Sequence, residues 1–346
     1  MKILFISHRF YPEVGGIEVN SEILATYFSK FGAEVHLLTW TRETGEKTFP
    51  FLVIRDPSLQ QIIKEHKWAE IVYENNPCLK LSWPSVVYNK LNVIAIRTWV
   101  ARQNGKKGWQ DHLKTLKLGK ANRLIAVSKP IADSLNSDAV IIGNPYRDEL
   151  FRIKAEIARN NDFVFLGRLV SDKGVDMAVQ LLYLIKNRND KYFSLTVIGE
   201  GPEKKTLEDL VKKLELNNQV KFKGVLKGED LVDELNRHQY ILVPSRWREP
   251  FGNIALEGMA CGCIPIVSGD GGLVDAVGEA GVIFTRNNME SFYSETWKLI
   301  EDSQLQEELK SKARPHLDDH SSEKVAEKYF EVLKNVFKNH QAECLK

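Results

Sequence analysis

HQYILVPSRWREPFGNIALEGMACGCIPIVS, residues 238–268, carries the clearest indication of the fold. It begins with an apolar run of strand length, HQYILVPS (238–245), and ends with a second one, CIPIVS (263–268). Between them, a turn containing Pro, Gly and Asn leads into a short Ala/Gly/Met segment of helical character. The order strand, turn, helix, strand predicts one step of an α/β fold.

The turn inside this stretch has the features of an anion-binding corner. Gly252, Asn253 and Ile254 lie where the helix is predicted to begin, so their backbone N–H groups would face an anion. The helix dipole adds roughly half a positive charge at that end. A phosphate group fits such a corner.

Two glutamates bracket the turn, Glu249 before it and Glu257 about one turn into the predicted helix. A carboxylate at the position of Glu257 can accept hydrogen bonds from two neighbouring ribose hydroxyls. Glu249 is close enough to touch whatever the phosphate carries, so a nucleoside diphosphate sugar suits both. The alternative is that Glu249 is a solvated loop acid and Glu257 an acid favoured in a first helical turn.

The composition predicts a soluble globular protein with two domains. The 346 residues suffice for two domains of the usual ~100–200 residues, and a hydrophobic fraction of 43% can fill two cores. A net charge of +2 gives no indication of nucleic-acid binding. The four cysteines form no CxxC pair, and no apolar run approaches the ~20 residues of a membrane span. These observations predict a cytoplasmic protein with reduced thiols.

Apolar runs and helix-period segments alternate along the rest of the chain. The first alternation opens with MKILFIS (1–7), and its first helical segment ends at Gly32. The second opens with FVFLGRL (163–169) and continues into the stretch quoted above. We therefore predict two Rossmann-like α/β domains, residues 1–150 and residues 151–320, with the anion corner in the second.

Two cations follow the first strand of the second alternation. Arg168 comes directly after that strand, and Lys173 lies five residues later, before a glycine and the next helix. Open α/β sheets bind ligands outside the carboxyl ends of their strands. There Arg168 can hold phosphate oxygens bidentately and Lys173 can add a point charge. A solvated arginine and a lysine preceding a helix are the alternative.

Two further strand ends are candidate walls for a nucleobase. GEGPE (199–203) and KGV (223–225), with Val225 at its end, follow the next two predicted strands. A lone GxG pattern has little specificity, so these segments gain meaning only beside Arg168 and Lys173.

Taken together, these motifs resemble one known family over nearly the whole chain. PEVGGIE (12–18), GRLVSDKG (167–174), GEGP (199–202), KGV (223–225) and EPFGNIALE (249–257) resemble the family 4 retaining glycosyltransferases of GT-B fold. The resemblance implies two Rossmann-like domains facing a central cleft, with the acceptor side in the first and the donor side in the second. It also implies that a C-terminal helix, about residues 321–340, joins the first domain.

The resemblance implies a role for each matching residue. Arg168 and Lys173 would contact the donor diphosphate, Glu257 the ribose, and Glu249 with the turn Phe251–Ile254 the hexose. Gly15 and Gly16 match a glycine loop that approaches the donor phosphates and the acceptor, because only glycine lets the backbone come so close. The implied catalytic residues are Glu249, Arg168 and Lys173. The implied donor-binding residues are Gly15, Gly16, Arg168, Lys173, Val225, Glu249, Phe251, Gly252, Asn253, Ile254 and Glu257.

The implied reaction is transfer of a hexose with retention of configuration. The donor would be UDP-glucose or a related UDP-sugar, and the acceptor a saccharide or lipid-linked saccharide in extracellular polysaccharide synthesis. No metal and no cofactor are implied, because Arg168, Lys173 and the helix N-terminus would stabilise the leaving diphosphate.

The sequence departs from the family pattern at one point. Many members carry a histidine after a strand of the first domain, near the sugar, whereas NVIAIRTWVAR (92–102) contains none. Arg97 or Thr98 occupies that place. The departure keeps open a non-catalytic nucleotide-sugar-binding protein, and an epimerase of GT-B fold is a further alternative.

A basic stretch suggests a membrane partner. Residues 97–129 contain nine Lys/Arg against one acid, Asp111, and include Trp99 and Trp109. Such a segment can dock on anionic lipid head groups at the inner face of a membrane, and a solvated basic face is the alternative.

Three histidines are weaker candidates for a functional site. His316 and His320 have a spacing that can hold a metal, but Pro315 argues against the continuous helix this would require. His8, in the loop after the first strand, is a candidate for facing the acceptor or for a local hydrogen bond.

Overall fold

The structure is a computed structural model that describes residues 1–13, 15–100, 109–135 and 137–344. It divides into two compact units: unit 1 comprises Met1–Pro145 and Ser322–Lys346, and unit 2 comprises Tyr146–Ser321. The chain thus starts in unit 1, forms all of unit 2 and then returns to unit 1. The sequence analysis predicted that the chain passes from the first domain to the second near residue 150 and returns near residue 321.

Unit 1 is a parallel α/β sheet with helices on its faces. Its strands are β1 (Lys2–Ile6), β2 (Glu34–Thr39), β3 (Leu52–Arg55), β4 (Ile71–Asn75), β5 (Leu91–Ile96), β6 (Arg123–Ala126) and β7 (Ala139–Ile141). Its helices are α1 (Gly16–Lys30), α2 (Leu59–Trp68), α3 (Leu79–Val87), α4 (Trp109–Leu118), α5 (Lys129–Asp133) and α13 (Ser322–Cys344). Among the described residues these seven strands run in the order β3-β2-β1-β4-β5-β6-β7.

The core of unit 1 includes the last helix of the chain. Side chains of β1 alternate between two apolar layers, Ile3 and Phe5 in one and Leu4 and Ile6 in the other, as the two-residue period of a strand requires. Tyr329 of α13 is fully buried in the first layer, where its hydroxyl donates to the carbonyl oxygen of Ile142 at 3.2 Å. Helix α13 therefore completes the core of unit 1.

Unit 2, all of which the structure describes, repeats the same architecture. Its strands are β8 (Asn161–Leu166), β9 (Leu195–Ile198), β10 (Val220–Gly224), β11 (His238–Val243), β12 (Ile264–Ser268) and β13 (Val282–Phe284). Its helices are α6 (Val175–Asn189), α7 (Lys204–Lys213), α8 (Gly228–Asn236), α9 (Asn253–Ala260), α10 (Leu273–Val277), α11 (Met289–Glu301) and α12 (Ser303–Asp319). The six strands are parallel, in the order β10-β9-β8-β11-β12-β13.

The strand order of unit 2 reverses between β8 and β11, which are neighbours in the sheet. Connections leave the two strands in opposite directions there, so a crevice opens outside their carboxyl ends. The segment after β8 turns through a short 3-10 helix, Ser171–Lys173, and then Gly174 with φ +70°. A Cβ atom on Gly174 would overlap the carbonyl oxygen of Pro244, so glycine lets this segment pack against the end of β11.

One expectation about local structure was wrong. Pro315 lies inside α12 and does not interrupt the helix. A proline removes the hydrogen bond to the carbonyl four residues earlier, which here belongs to the exposed Ser311 in the middle of α12. Water can reach that carbonyl, so the helix continues past the proline.

Candidate active site

The crevice between β8 and β11 holds a charged pair. The Nζ atom of Lys173, after β8, lies 2.5 Å from Oε1 of Glu249, after β11. The Ser245 hydroxyl donates to the same oxygen at 2.7 Å. The Lys173 and Glu249 side chains are only 21% and 14% exposed, so the carboxylate has a fixed orientation with one oxygen left for further contacts.

The loop that carries Glu249 is anchored on both sides. The backbone N–H groups of Arg246 and Trp247 donate to the carbonyl oxygen of Asp172 at 2.8 and 3.2 Å. The Arg246 guanidinium forms a bidentate pair with Asp176 on α6, with N···O distances of 3.2 and 2.6 Å. These bonds tie the end of β11 to the segment after β8, so Lys173 and Glu249 are held in register.

The turn after Glu249 opens α9, as the sequence predicted. Gly252 precedes the helix with φ +120°, and a Cβ atom there would overlap the side chain of Leu273. The Gly272 N–H donates to the carbonyl oxygen of Glu249 at 2.7 Å. Helix α9 begins at Asn253, and the first N–H groups of a helix have no acceptor within it. The turn therefore presents a helix N-terminus next to Glu249.

The Phe251 side chain takes no part in this surface. It is buried, and its ring lies 5.5 Å from that of His320. Of the predicted hexose-binding turn Phe251–Ile254, Phe251 can therefore offer a ligand only its backbone.

Glu257 is a half-buried carboxylate in the middle of α9. No hydrogen bond to its side chain is found in the described part of the chain. Burial raises the pKa of the Glu257 carboxyl to about 7, and the Arg147 guanidinium opposes that rise. A carboxylate that is partly shielded from water and has no hydrogen-bond donor from the protein can accept hydrogen bonds from ligand hydroxyls.

Arg168 follows β8 as an exposed cation, and within the described residues it has no ion-pair partner. The loop around it is tied to its neighbours, because the Leu169 N–H donates to the Glu200 carbonyl at 3.0 Å and the Gly199 N–H donates to the Gly224 carbonyl at 2.7 Å. Val225, directly after β10, is 57% exposed. The strand ends thus present one free guanidinium and one apolar surface.

Two of the predicted donor-binding residues belong to unit 1. Gly15 precedes α1 and Gly16 begins it, and among the described residues no atom beyond the adjoining backbone lies within 4 Å of a Cβ placed on Gly16. The space before α1 is therefore open at Gly16. Val14 of the same motif lies outside the described residues.

Arg97, a candidate for the place of the family histidine, is committed to the interior of unit 1. It is 5% exposed and donates to the side chains of Asn75 at 2.8 Å and Asn144 at 2.6 Å. Its guanidinium also lies 4.8 Å from the ring centre of Tyr329 on α13. Thr98 is exposed and hydrogen-bonded to Asn76 at 3.4 Å, so Thr98 is the accessible member of the two candidates.

The basic stretch 97–129 does not form one continuous surface. Arg97 is buried, and Lys117 is buried in an ion pair with Glu74 at 2.5 Å. A buried cation cannot contact a lipid head group. The burial of Arg97 and Lys117 therefore leaves the predicted basic face with two fewer charges. Three other members, Arg102, Lys106 and Lys107, lie outside the described residues.

The histidines have ordinary structural contacts. His316 lies 2.8 Å from the Ala276 carbonyl oxygen, and the His316 and His320 rings lie 4.7 Å apart. In the described residues no group of three His, Cys, Asp or Glu side chains has a metal-binding arrangement. His8 lies 3.6 Å from the Cys78 sulfur.

Across the described part of the chain, no helix is long and apolar enough to cross a bilayer.

Sequence reasoning missed two contributors to the site. Ser245 orients Glu249, and the segment GDGG (269–272) supports the Glu249 backbone through Gly272. The signal for the second was available, because GDGG directly follows the strand CIPIVS at the same sheet edge. The signal for Ser245 was weaker, since it is one small residue at the end of β11.

Comparisons with known proteins agree with this geometry. Residues 146–316 match the family model described as glycosyl transferases group 1. An uncharacterised glycosyltransferase of Methanocaldococcus jannaschii, MJ1178, is 24% identical over 335 residues, which cover 89% of this chain and 91% of that protein.

Two solved structures share the fold over the full length. Alr3699/HepE of Anabaena, in complex with UDP and glucose, has a TM-score of 0.78 at 18% identity, covering 97% of this chain and 100% of that one. Sucrose-phosphate synthase of Thermosynechococcus elongatus has a TM-score of 0.79 at 18% identity, covering 98% and 99%.

The chain has the GT-B fold, built from two Rossmann-like α/β units. Unit 2 is a group 1 glycosyltransferase domain, because the family match spans nearly all of it. The predicted fold class is confirmed, and the family match of unit 2 together with the full-length relative supports a glycosyltransferase activity.

Proposed function

We propose that this protein is a retaining, metal-independent hexosyltransferase that uses UDP-glucose. The observation that carries the proposal is the arrangement at the crevice of unit 2. There Glu249, which is paired with Lys173, the N-terminus of α9 and the half-buried Glu257 follow one another along a single turn and helix. That order matches a ligand with a sugar, a diphosphate and a ribose.

Each group has a chemical task in the proposed reaction. The Arg168 guanidinium and the Lys173 ammonium, with the first N–H groups of α9, stabilise the negative charge that grows on the departing diphosphate. Glu249 accepts hydrogen bonds from hydroxyls of the transferred sugar and so orients it. Glu257 accepts the ribose hydroxyls. In this proposal the two cations and the helix N-terminus offset part of the negative charge of the diphosphate, the task that a metal ion performs in other enzymes.

The choice of donor is supported by a fold neighbour. HepE of Anabaena has been solved with UDP and glucose, and the sequence resembles glucosyltransferases of cyanobacterial heterocyst-envelope polysaccharide synthesis. The exposed Val225, at the same edge of the sheet as Arg168, suits the flat apolar face of a uracil ring. UDP-glucose is therefore the proposed donor, and a saccharide or lipid-linked saccharide of extracellular polysaccharide synthesis the proposed acceptor.

A lipid-linked acceptor requires a membrane contact, which we place on α3 and α4 of unit 1. The two helices are joined by the contact between Lys117 and Ser82. They expose large apolar side chains, which we call the α3–α4 patch: Trp83, Val86, Val87, Tyr88, Leu113 and Leu116. Lys80 and Lys120 are exposed on the same helices or directly after them. Apolar side chains flanked by lysines suit the anionic inner face of a membrane, so the enzyme is proposed to be cytoplasmic and peripheral.

The test is release of UDP from UDP-glucose, with and without saccharide acceptors, beside a thermal-shift series with UDP, GDP and ADP sugars. We expect UDP-glucose to raise the melting temperature most and acceptor to accelerate UDP release. Stabilisation by UDP-glucose without any release of UDP would favour the non-catalytic binding protein. That alternative stays open because Arg97, a candidate for the place of the family histidine, is buried. Conversion of the sugar to its epimer would favour the epimerase. Absence of both binding and release would refute the proposal.

A further inference from the structure

Unit 2 contains a second cavity, of about 740 Å³, at the end of the sheet opposite the candidate active site. Gln239 and Tyr240 at the start of β11, and Cys263 and Ile264 around the start of β12, line it. The active-site residues instead follow the carboxyl ends of β8 and β11. The amino and carboxyl ends of parallel strands lie one strand length apart. The cavity is therefore a different site from the candidate active site.

The walls of the cavity are mostly apolar. Side chains from the segment before β8, from the β11–β12 end, from the end of α9 and from α12 form them, among them Phe151, Met259, Ile264, Leu309 and Leu317. The volume lies within the range of small-molecule sites, about 300–1,000 Å³. A nucleotide sugar would leave its many hydroxyls without partners against such walls, so its ligand has an apolar body.

Cations outnumber acids on the polar part of the lining. Arg152, Arg159, Lys310 and Arg314 line the cavity beside Asp148 and Asp318. Arg152 is paired with Glu229 and Lys310 with Glu307. Arg159 donates to backbone carbonyls of His238 and Cys261, and neither it nor Arg314 has a carboxylate partner within unit 2. Arg159 and Arg314 are therefore the two cations of the lining that an anionic group can meet, with Asp148 and Asp318 in the same lining.

A tyrosine hydroxyl contributes to the same lining. Tyr240 lines the cavity and is 4% exposed, yet its hydroxyl has no hydrogen-bond partner in the described part of the chain. Burial raises the pKa of Tyr240 to about 12, so the group is a neutral donor at physiological pH. The hydroxyl oxygen is not among the buried unpaired atoms, so it is accessible from the cavity and can donate to a ligand atom there.

We propose that this cavity is a binding site for an amphipathic anion, a molecule with an apolar chain or ring and one carboxylate, sulfonate or phosphate group. The apolar body packs against Phe151, Ile264 and Leu309. The anionic group meets the guanidinium groups of Arg159 and Arg314. The site does not depend on the donor assignment, because none of its residues lies at the carboxyl ends of the strands.

The experiment uses 1-anilinonaphthalene-8-sulfonate as a fluorescent probe on the full chain, with octanoate and octanol as competitors of equal chain length. We expect saturable binding of one probe per chain. Octanoate should displace it at a concentration about tenfold below that of octanol, since only octanoate offers the charge that meets two arginines.

Three variants locate the probe. Ala313→Trp fills the cavity from α12 and is expected to weaken probe binding at least about tenfold, because space is lost. Arg314→Glu is expected to weaken it about fivefold, because the charge is reversed. Lys213→Glu makes the same charge change on an exposed residue at the end of α7, away from the cavity, and should leave binding unchanged. Because Arg314 is exposed, its variant keeps the test valid even if Ala313→Trp fails to fold.

Several results would overturn the proposal. Probe binding that survives in a folded Ala313→Trp variant would place the probe elsewhere. Equal displacement by octanoate and octanol would remove the anionic group from the ligand. Displacement by UDP would place the probe at the donor site. Loss of UDP-glucose turnover without any change in probe binding would instead bear only on the proposed transferase function.

Discussion

The ammonium group of Lys173 lies 2.5 Å from a carboxylate oxygen of Glu249, although 76 positions separate the two residues in the sequence. The family resemblance assigns them to different parts of the donor, the diphosphate and the hexose. In the structure they form one pair, so a change at either residue alters the charge and the position of the other. Variants of the site therefore have to be designed in matched sets.

Lys173→Ala and Ser245→Ala form the first set, because each removes one donor to Glu249 Oε1. Only Lys173 can also neutralise a diphosphate. We expect Lys173→Ala to lower kcat about 100-fold and to weaken UDP binding about tenfold. Ser245→Ala should lower kcat less and leave UDP affinity within about twofold. Calorimetric UDP titration and UDP-release rates check this, and equal UDP affinities in both variants would remove Lys173 from the diphosphate.

Arg168→Ala tests the exposed cation after β8. The residue has no ion-pair partner in the described residues, so its loss should leave the melting temperature within about 1 °C while lowering kcat/KM about 100-fold. Lys205→Ala, at an exposed position on α7, is the matched control and should keep full activity. An unchanged turnover in Arg168→Ala would refute the phosphate assignment.

Glu257→Gln tests the half-buried carboxyl whose pKa is raised to about 7. A carboxyl with a raised pKa in the folded state binds more protons there than in the unfolded state, so stability from this group declines as pH rises from about 4.5 to 7. The variant removes this loss and should be more stable than the parent at pH 8 by about 1–2 kcal/mol, after discount for partial exposure. Urea unfolding at pH 5.5 and pH 8 measures the difference.

Donor affinity should respond to pH in the opposite direction. Ribose hydroxyls donate to the charged carboxylate, so UDP-glucose should bind the parent more tightly as pH rises through 7, by up to about tenfold per pH unit below the pKa. The donor itself has no group that titrates between pH 6 and 8. Glu257→Gln should bind weakly at both pH values, and an identical pH slope in parent and variant would exclude Glu257 from the ribose contact.

Gly174→Ala tests whether the junction between β8 and α6 depends on glycine. Gly174 and Gly228 both have positive φ, +70° and +56°, but only at Gly174 would a Cβ atom meet another part of the chain, the Pro244 carbonyl. We expect Gly228→Ala to reduce the free energy of unfolding by about 1 kcal/mol and Gly174→Ala by about 3 kcal/mol or more. Similar losses in both variants would mean that the backbone conformation alone sets the cost.

Val87→Ser with Leu116→Ser tests the α3–α4 patch, since both side chains are 65% exposed. The double variant should reduce sedimentation with vesicles containing anionic lipid about tenfold, because two apolar anchors are lost. Tyr192→Ser, at a 67% exposed position in unit 2, is the matched control. Binding that ignores the lipid charge and the salt concentration would remove the membrane contact.

The sequence was sufficient for the parts of the site that depend on local pattern. Gly252 at the start of α9 follows from a strand, a glycine turn and a helix in that order, and Arg168 follows from its place directly after an apolar strand. The Lys173–Glu249 pair could not be predicted, because two carboxyl strand ends become neighbours only when the sheet order is known. The burial of Arg97 and Lys117 was also out of reach, since a cation enters a core only when partners from distant segments, such as Asn144 and Glu74, meet it there.

The position of Tyr329 in the core of unit 1 has a consequence for synthesis of the chain. Unit 2 is complete once Ser321 has been added, whereas the first layer of unit 1 lacks Tyr329 and its neighbours on α13 until the final helix emerges. Domains tend to fold as units while the ribosome is still adding residues. Unit 2 can therefore fold before unit 1, and the segment Met1–Pro145 has to wait, partly open, for a helix that is made after unit 2.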